Sequence, residues 1–460
     1  YLINPNGVLV GAGAHINTAE FLASALDVSD ELFMAGDDLE FSGNSLASVI
    51  NLGEITAASG DVILIAYQVR NEGSLSAPEG VAALAAGDNI IFRPNADSHI
   101  LIRAAVAADS NLTGVENSGV IAAAQAELKA AGGSVYDLAI NQTGVVRASG
   151  SATLNGRVLL TAEAGDLQHS GTISAHNHDG SGGEVLIGDD NSGYGIASTT
   201  TVAATAVIDV AATATSGDGG SVQITAQDNT VFDGQINASA GTVGGNGGSA
   251  AVTGALALQF GGSANLGATA GDTGTLTITS ADQTIGSNAG DLMAGADLAN
   301  LLTTSNVILD TSHVYAPGTL VTDSSIEIND DVSWSSGNNL TLNSGNEIRI
   351  NGSLEGDGSD LTLGLGVVKE ADPFGSDLGN SADLTVDSSA TITAASVVIK
   401  RNTDVEIERS NSSLGPMGNI RIDGTLVTDT LDIQTDNRQQ YGYTFDEGIA
   451  GSVHIDNSNN

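Results

Sequence analysis

His176-Asn-His178-Asp179 places two imidazoles and a carboxylate side by side in the chain. On a strand, residues 176 and 178 share a face, the first requirement for holding a transition metal. Gly and Ser surround the stretch, and no third or fourth ligand follows nearby. It reads as a solvated turn, and no metal is assigned to it. Calcium takes several carboxylate and carbonyl oxygens converging in one loop. Asp37-Asp38, Asp189-Asp190 and Asp330-Asp331 are the acidic pairs that could supply them. The calcium-binding pattern Gly-Gly-x-Gly-x-Asp is absent, and Gly244-Gly-Asn-Gly-Gly248 lacks its aspartate.

Hydrolysis of acidic polysaccharides needs clustered carboxylates together with cations that neutralise the sugar acid. The lysines are Lys129, Lys369 and Lys400, far apart, and Trp334 is the sole tryptophan available to stack on a sugar ring. Lys400-Arg401 with Arg409 forms the densest basic patch, read as charge balance at a strand end. No Gly-x-Ser-x-Gly elbow, phosphate loop or zinc signature occurs. The residues predict neither an enzyme nor a cofactor. A polysaccharide-active enzyme is kept as an alternative.

Acidic residues number 55 against 13 basic ones, a net charge of -42. Phosphate backbones and anionic lipid surfaces are bound by clustered Lys and Arg, so nucleic acid is excluded as a partner. No apolar run of 18 residues exists, so no stable membrane insertion is expected. The absence of cysteine removes disulfides and thiol chemistry. Tyr1-Leu-Ile-Asn-Pro5 opens inside an apolar phrase with no Met, which predicts that sequence precedes it.

Whatever these residues do, a repeat positions them. Asn51-Leu-Gly-Glu-Ile-Thr-Ala57 returns as Asn71-Glu-Gly-Ser-Leu-Ser-Ala77 and as Asn117-Ser-Gly-Val-Ile-Ala-Ala123. Looser copies are Gln142-Thr-Gly-Val-Val-Arg-Ala148 and His169-Ser-Gly-Thr-Ile-Ser-Ala175. Paired glycines lead the aliphatic runs between them, as in Gly132-Gly-Ser-Val135 and Gly219-Gly-Ser-Val-Gln-Ile224. Short aliphatic runs bounded by Gly, Asn, Asp and Ser read as strands, and a fixed internal period makes a stacked solenoid. The expected class is all-β, a parallel β-helix with coils of about 20–23 residues.

Asn51, Gly53, Asn71, Gly73, Asn117 and Gly119 are the candidate structural ladder at one corner. Roughly 20 coils at about 4.8 Å each make a rod of order 100 Å. One coil offers about 5 or 6 inward aliphatics at roughly 1.5–3 kcal/mol each, against a backbone entropy cost of about 1–2 kcal/mol for each of ~21 residues. An isolated coil therefore cannot fold, and only stacking on neighbours stabilises it. From residue 305 onward the strands alternate more cleanly, as in Ile348-Arg-Ile350 and Leu361-Thr-Leu363. Ala294-Gly-Ala-Asp-Leu-Ala-Asn-Leu-Leu302 is the best helical candidate. The division is drawn at 1–290 and 291–460.

The opening adds a sharper signal. Leu2-Ile-Asn-Pro-Asn-Gly-Val-Leu-Val-Gly11 is followed by Ala14-His-Ile-Asn17, Leu22-Ala-Ser-Ala-Leu-Asp-Val28, Phe33-Met-Ala-Gly36 and Phe41-Ser-Gly43. In this order they resemble the haemagglutination-activity, or two-partner-secretion, domain of filamentous-haemagglutinin-like exoproteins. Ala25 stands where that family usually has Thr. The likeness is close over residues 1–95 and a matter of pattern beyond them. It implies a right-handed parallel β-helix, with 1–290 as the secretion domain continuing into Gly-rich coils and 291–460 as shaft. It also implies export through the periplasm and then through a dedicated outer-membrane β-barrel transporter, to a secreted or cell-surface location. Asn4, Pro5, Asn6 and Gly7 match the family's secretion motif. The implied function is that of an adhesin-like exoprotein whose receptor is a host-cell or surface glycan or protein. A stalk carrying a C-terminal toxin is the further alternative.

Overall fold

The computed structural model describes residues 1–35, 38–93, 100–102, 114–131, 138–189, 191, 196–311, 324–365, 382–401, 417–434 and 453–455. Among them are 43 strands and two short helices. The chain divides into two units. The first holds residues 1–252 and 262–274, and the second holds 253–261 and 275–460. Each is a parallel β-helix.

Three strand columns build the first unit. One runs Val8–Val10, Ser48–Asn51, Gln68–Asn71, Val115–Asn117, Ile140–Gln142, Asp166–His169, Thr199–Val202 and Asn229–Phe232, every neighbour parallel. After the Asn-x-Gly corner the chain enters a second column, which includes His15–Thr18, Glu54–Ala57, Val145–Ala148 and Thr172–Ala175. A third contains Phe21–Ser24, Val62–Ala66, Arg157–Glu163, Glu184–Ile187 and Ser221–Ala226. The long strands Ser74–Ala86 and Val120–Ala131 pass from the second column into the third. Within Ser221–Ala226, burial alternates strictly, with Val222, Ile224 and Ala226 inside. That is the pattern of a strand wet on one face.

Register partners Asn51 and Asn71 lie 20 residues apart. The step is 46 between Asn71 and Asn117, a span that holds the strands Asn89–Phe92 and Ile100–Ile102, then 25 between Asn117 and Gln142 and 28 between Asp209 and Asn237. Coils of the first unit thus outgrow the expected 20–23 residues, because Gly-rich corner loops lengthen while the strands do not.

One layer has no counterpart in the repeat. Ile100–Ile102, Asn89–Phe92, Leu39–Ser42 and Asp27–Val28 form an antiparallel sheet in that order. Its Leu39, Phe41, Ile90, Phe92 and Ile100 form one apolar cluster with Leu22, Ile63, Ile65, Ala83 and Ala85 of the third column. This is why all five residues of Val62–Ala66 are buried: the inner face meets the core and the outer face meets this cover. Phe41→Ala should cost about 3–5 kcal/mol in chemical denaturation, since the cavity adds to the lost burial. A loss under about 1 kcal/mol would show that the cover is not packed.

In the second unit, Gln283–Ile285, Ser325–Ile328, Glu347–Ile350, Ala382–Val386, Met417–Ile422 and Val453–Ile455 stack in parallel. Thr275–Ser280, Asn306–Asp310, Leu340–Ser344, Asp360–Leu365, Thr391–Arg401 and Thr425–Gln434 form another column. The register step here is 21 residues from Leu340 to Leu361, but 33 from Val307 to Leu340 and 36 from Leu361 to Val397, so only one of these coils has the expected length. The helix foreseen near residue 294 is Gly295–Leu302, with Leu298, Leu301 and Leu302 buried. No helix among the described residues is long and apolar enough to cross a membrane.

Candidate functional site

Residues 4–7 make a β-turn, closed by Gly7 N–H donating to the Asn4 carbonyl at 2.9 Å. Pro5 sets the first central angle, and the Asn4 side-chain oxygen accepts the Asn6 N–H at 3.1 Å. Gly7 has φ +91°, and a Cβ there would sit 2.7 Å from the Ser48 carbonyl oxygen, so only glycine fits. Two bonds tie the turn to other segments. Asn4 N–H donates to the Ser24 carbonyl at 2.9 Å, and Ser45 Oγ donates to the Pro5 carbonyl at 2.7 Å. The Asn4 N–H, carbonyl and Oδ1, the Pro5 carbonyl, and the N–H groups of Asn6 and Gly7 all serve to shape and anchor this corner, while the Asn6 side chain is exposed.

The next corner holds a chain of buried amides. Asn51 Nδ2 donates to Asn71 Oδ1 at 2.8 Å, Asn71 Nδ2 to Asn117 Oδ1 at 2.8 Å, and Asn117 Nδ2 to Gln142 Oε1 at 2.6 Å. Gln142 Nε2 ends the run on the Gly144 carbonyl at 3.0 Å. All four side chains are fully buried. The glycines two residues further on form a second ladder. A Cβ on Gly73, Gly119, Gly144 or Gly171 would overlap the carbonyl oxygen of the glycine one coil earlier, namely Gly53, Gly73, Gly119 or Gly144. Here glycine supplies space, not a special backbone angle.

Gln142 and His169 are the members of the column that reasoning from asparagine alone passes over. The signal for them was their place in the looser copies of the repeat. His169 is fully buried, and neither ring nitrogen closes a hydrogen bond. Burial pushes its pKa down from 6.5 to about 4, although the backbones of Gln142 and Val207 lie near enough to favour the charged ring slightly. The unfolded chain therefore takes up a proton that the folded one refuses. Stability held above pH 6.5 should drain as the pH falls towards 4, by about 3 kcal/mol in total. Urea unfolding of wild type and His169→Leu across this range checks it. The substitution should flatten the pH dependence, and parallel curves would contradict the assignment.

The other candidates are dispersed. His176 Nδ1 pairs with the Ala211 carbonyl at 3.0 Å, while Ser181 bonds hold the exposed Asp179 carboxyl below its usual range. Asp330 receives Ser287 Oγ at 2.6 Å, and Asp331 receives Ser353 N–H at 2.7 Å, so the pair serves two different contacts. Asp189 accepts the Asn191 N–H at 2.8 Å. Among the described residues no three potential metal ligands converge. Trp334 is buried, its Nε1 donating to the Asn338 carbonyl at 2.8 Å, so it offers no platform for a sugar. Lys129 lies buried 3.9 Å from Glu127, whose Oε2 accepts the Ile100 N–H at 3.0 Å. Asp37, Asp190, Lys369, Arg409, the side chain of Arg401 and the phrase Gly132-Gly-Ser-Val135 lie outside the described residues.

Among the described residues the arrangement positions backbone and excludes water. The family model of the TPS secretion domain matches residues 1–175. The crystal structure of the HMW1 secretion domain from Haemophilus influenzae superposes with a TM-score of 0.51 at 30% identity, covering 64% of this chain and 78% of that one. No curated protein matches the chain.

Proposed function

Because this chain belongs to the two-partner-secretion exoproteins, we propose that residues 1–290 carry its export domain and the coils continuing it, and residues 291–460 its shaft. A secreted exoprotein of this kind has an outer-membrane transporter as its partner. The observation that carries the reading further is the turn at residues 4–7. Its groups are engaged in closing the turn and in docking it on Ser24 and Ser45. The motif therefore serves export by shaping the first corner, on which the next coil is laid.

Coil stacking supplies the rest of the mechanism. A lone coil does not fold, whereas a coil added to a folded one gains a complete set of ladder hydrogen bonds and buried aliphatics. The chain passes the outer membrane unfolded, and each coil that closes outside stops the preceding segment from slipping back. The product is an adhesin-like surface rod whose receptor is a glycan or protein. Deleting residues 4–7 from the full-length protein, expressed with its transporter, should leave it in the periplasm. Undiminished secretion of that deletion variant would remove the motif's role in export.

A further inference from the structure

Four Asn-Gly pairs occur in the chain: Asn6-Gly7, Asn155-Gly156, Asn246-Gly247 and Asn351-Gly352. In such a pair the glycine backbone nitrogen can attack the asparagine side-chain carbonyl carbon. A C–N bond forms, ammonia departs carrying the glycine N–H proton, and a five-membered succinimide remains. Water then opens the ring to aspartate or isoaspartate. The reaction needs only water, a glycine nitrogen released from its hydrogen bond, and an asparagine side chain free to swing.

The four pairs differ in what holds them. Gly156 N–H donates to Asn177 Oδ1 at 3.0 Å, Gly247 N–H to the Asp272 carbonyl at 2.9 Å, and Gly352 N–H to the Ile328 carbonyl at 2.9 Å. For Gly247 and Gly352 the partner is a backbone carbonyl of the neighbouring coil, so release means parting coils. For Gly156 it is a side chain 21 residues away, itself held by Ser181 Oγ at 3.0 Å and the Gly182 carbonyl at 2.7 Å. Two of the side chains are pinned as well. Asn246 Oδ1 accepts the Asp272 N–H at 3.0 Å, and Asn351 Nδ2 donates to Asn329 Oδ1 at 2.7 Å and to Glu327 Oε1 at 3.0 Å. Gly7, by contrast, is held by the local bond to the Asn4 carbonyl three residues back. The Asn6 amide is exposed, and its one contact is a long 3.5 Å approach to Asn4 Oδ1. Opening one exposed turn costs far less than parting stacked coils.

We propose that Asn6 is a site of spontaneous succinimide formation in the folded protein, and that coil stacking silences the other three Asn-Gly pairs. Isoaspartate at position 6 adds a backbone methylene and a negative charge inside the turn at residues 4–7. Its consequence for export rests on the function proposed above; the chemistry does not.

The test is peptide mapping by mass spectrometry of the purified chain held in mildly alkaline buffer, with and without denaturing urea. In the folded chain Asn6 should convert at least about tenfold faster than Asn155, Asn246 and Asn351, whereas in urea all four should convert at similar rates. A folded chain in which Asn6 is as slow as the others, or in which any of the three keeps pace with it, overturns the proposal. Deletion of residues 4–7 in the secretion assay separates the two readings. If Asn6 converts as expected and that deletion variant is still exported normally, the chemistry stands and the export role of the turn falls.

Discussion

Gly73→Val will leave the first unit unfolded, while Gly13→Val will change its stability by no more than roughly 0.5 kcal/mol. Both are glycines near the start of the same unit, and neither has the positive φ that would demand glycine on conformational grounds. They differ in what lies beside the missing side chain. A Cβ on Gly13 meets nothing within 4 Å, whereas one on Gly73 overlaps the Gly53 carbonyl and comes within 2.8 Å of the Gly53 nitrogen. The neighbour is backbone that is itself hydrogen-bonded, since Ser74 N–H donates to that Gly53 carbonyl at 2.9 Å. No rotamer relieves the clash. The coil must move away from the one before it, and the following coils stack on it in turn. The cost should exceed the roughly 1–3 kcal/mol typical of an overpacked core and reach about 4–5 kcal/mol or more, because backbone and not a side chain must give way. Circular dichroism with urea denaturation reads both variants. A folded Gly73→Val with near-normal stability would mean that the coils are not in this register.

The second large effect has a built-in control in the same column. Asn117→Leu removes the middle of the amide run and leaves Asn71 Nδ2 and Gln142 Oε1 buried without their partners. Each orphaned group costs about 1–3 kcal/mol, so the variant should lose roughly 2–6 kcal/mol. His169→Leu, in the same column, removes a ring with neither nitrogen bonded. At neutral pH that change should be neutral or stabilising, because no partner is deprived and a buried polar group is exchanged for an apolar one. Equal losses for both substitutions would show that size alone, not hydrogen bonding, governs this column.

Much of this was legible in the residues. The three close copies of the Asn-x-Gly phrase place Asn51, Asn71 and Asn117 in one column, because a constant phrase in a stacked chain must recur at a constant angle. Gln142 and His169 were legible only through the rest of their phrases, since a buried ladder accepts any side chain that fits the slot. The antiparallel cover was not legible. Its strands pair Leu39–Ser42 with Asn89–Phe92, nearly 50 residues away, and no periodicity reports a pairing outside the repeat. A hint lay in Val62-Ile-Leu-Ile-Ala66, whose unbroken apolar run asks for burial on both faces. Corner lengths were equally hidden, because a loop can grow without altering the strands it joins. For the turn at residues 4–7, the sequence pointed to a turn, and geometry added where it is fastened.

Adjacent coils must lie in the stated register for these effects to appear, and the cysteine-free chain allows a direct measurement. Ser48 and Gln68 are register partners whose side chains meet across the coil step at 3.1 Å. Ser48→Cys with Gln68→Cys should form an intramolecular disulfide readily in the purified folded protein, since neighbouring strands bring the two Cα atoms within bonding range. Ser48→Cys with Arg70→Cys, displaced by two residues along the strand, should stay reduced under the same mild oxidation. Efficient cross-linking of the first pair alone is the predicted result; equal cross-linking of both pairs, or of neither, would contradict the stacked-coil account.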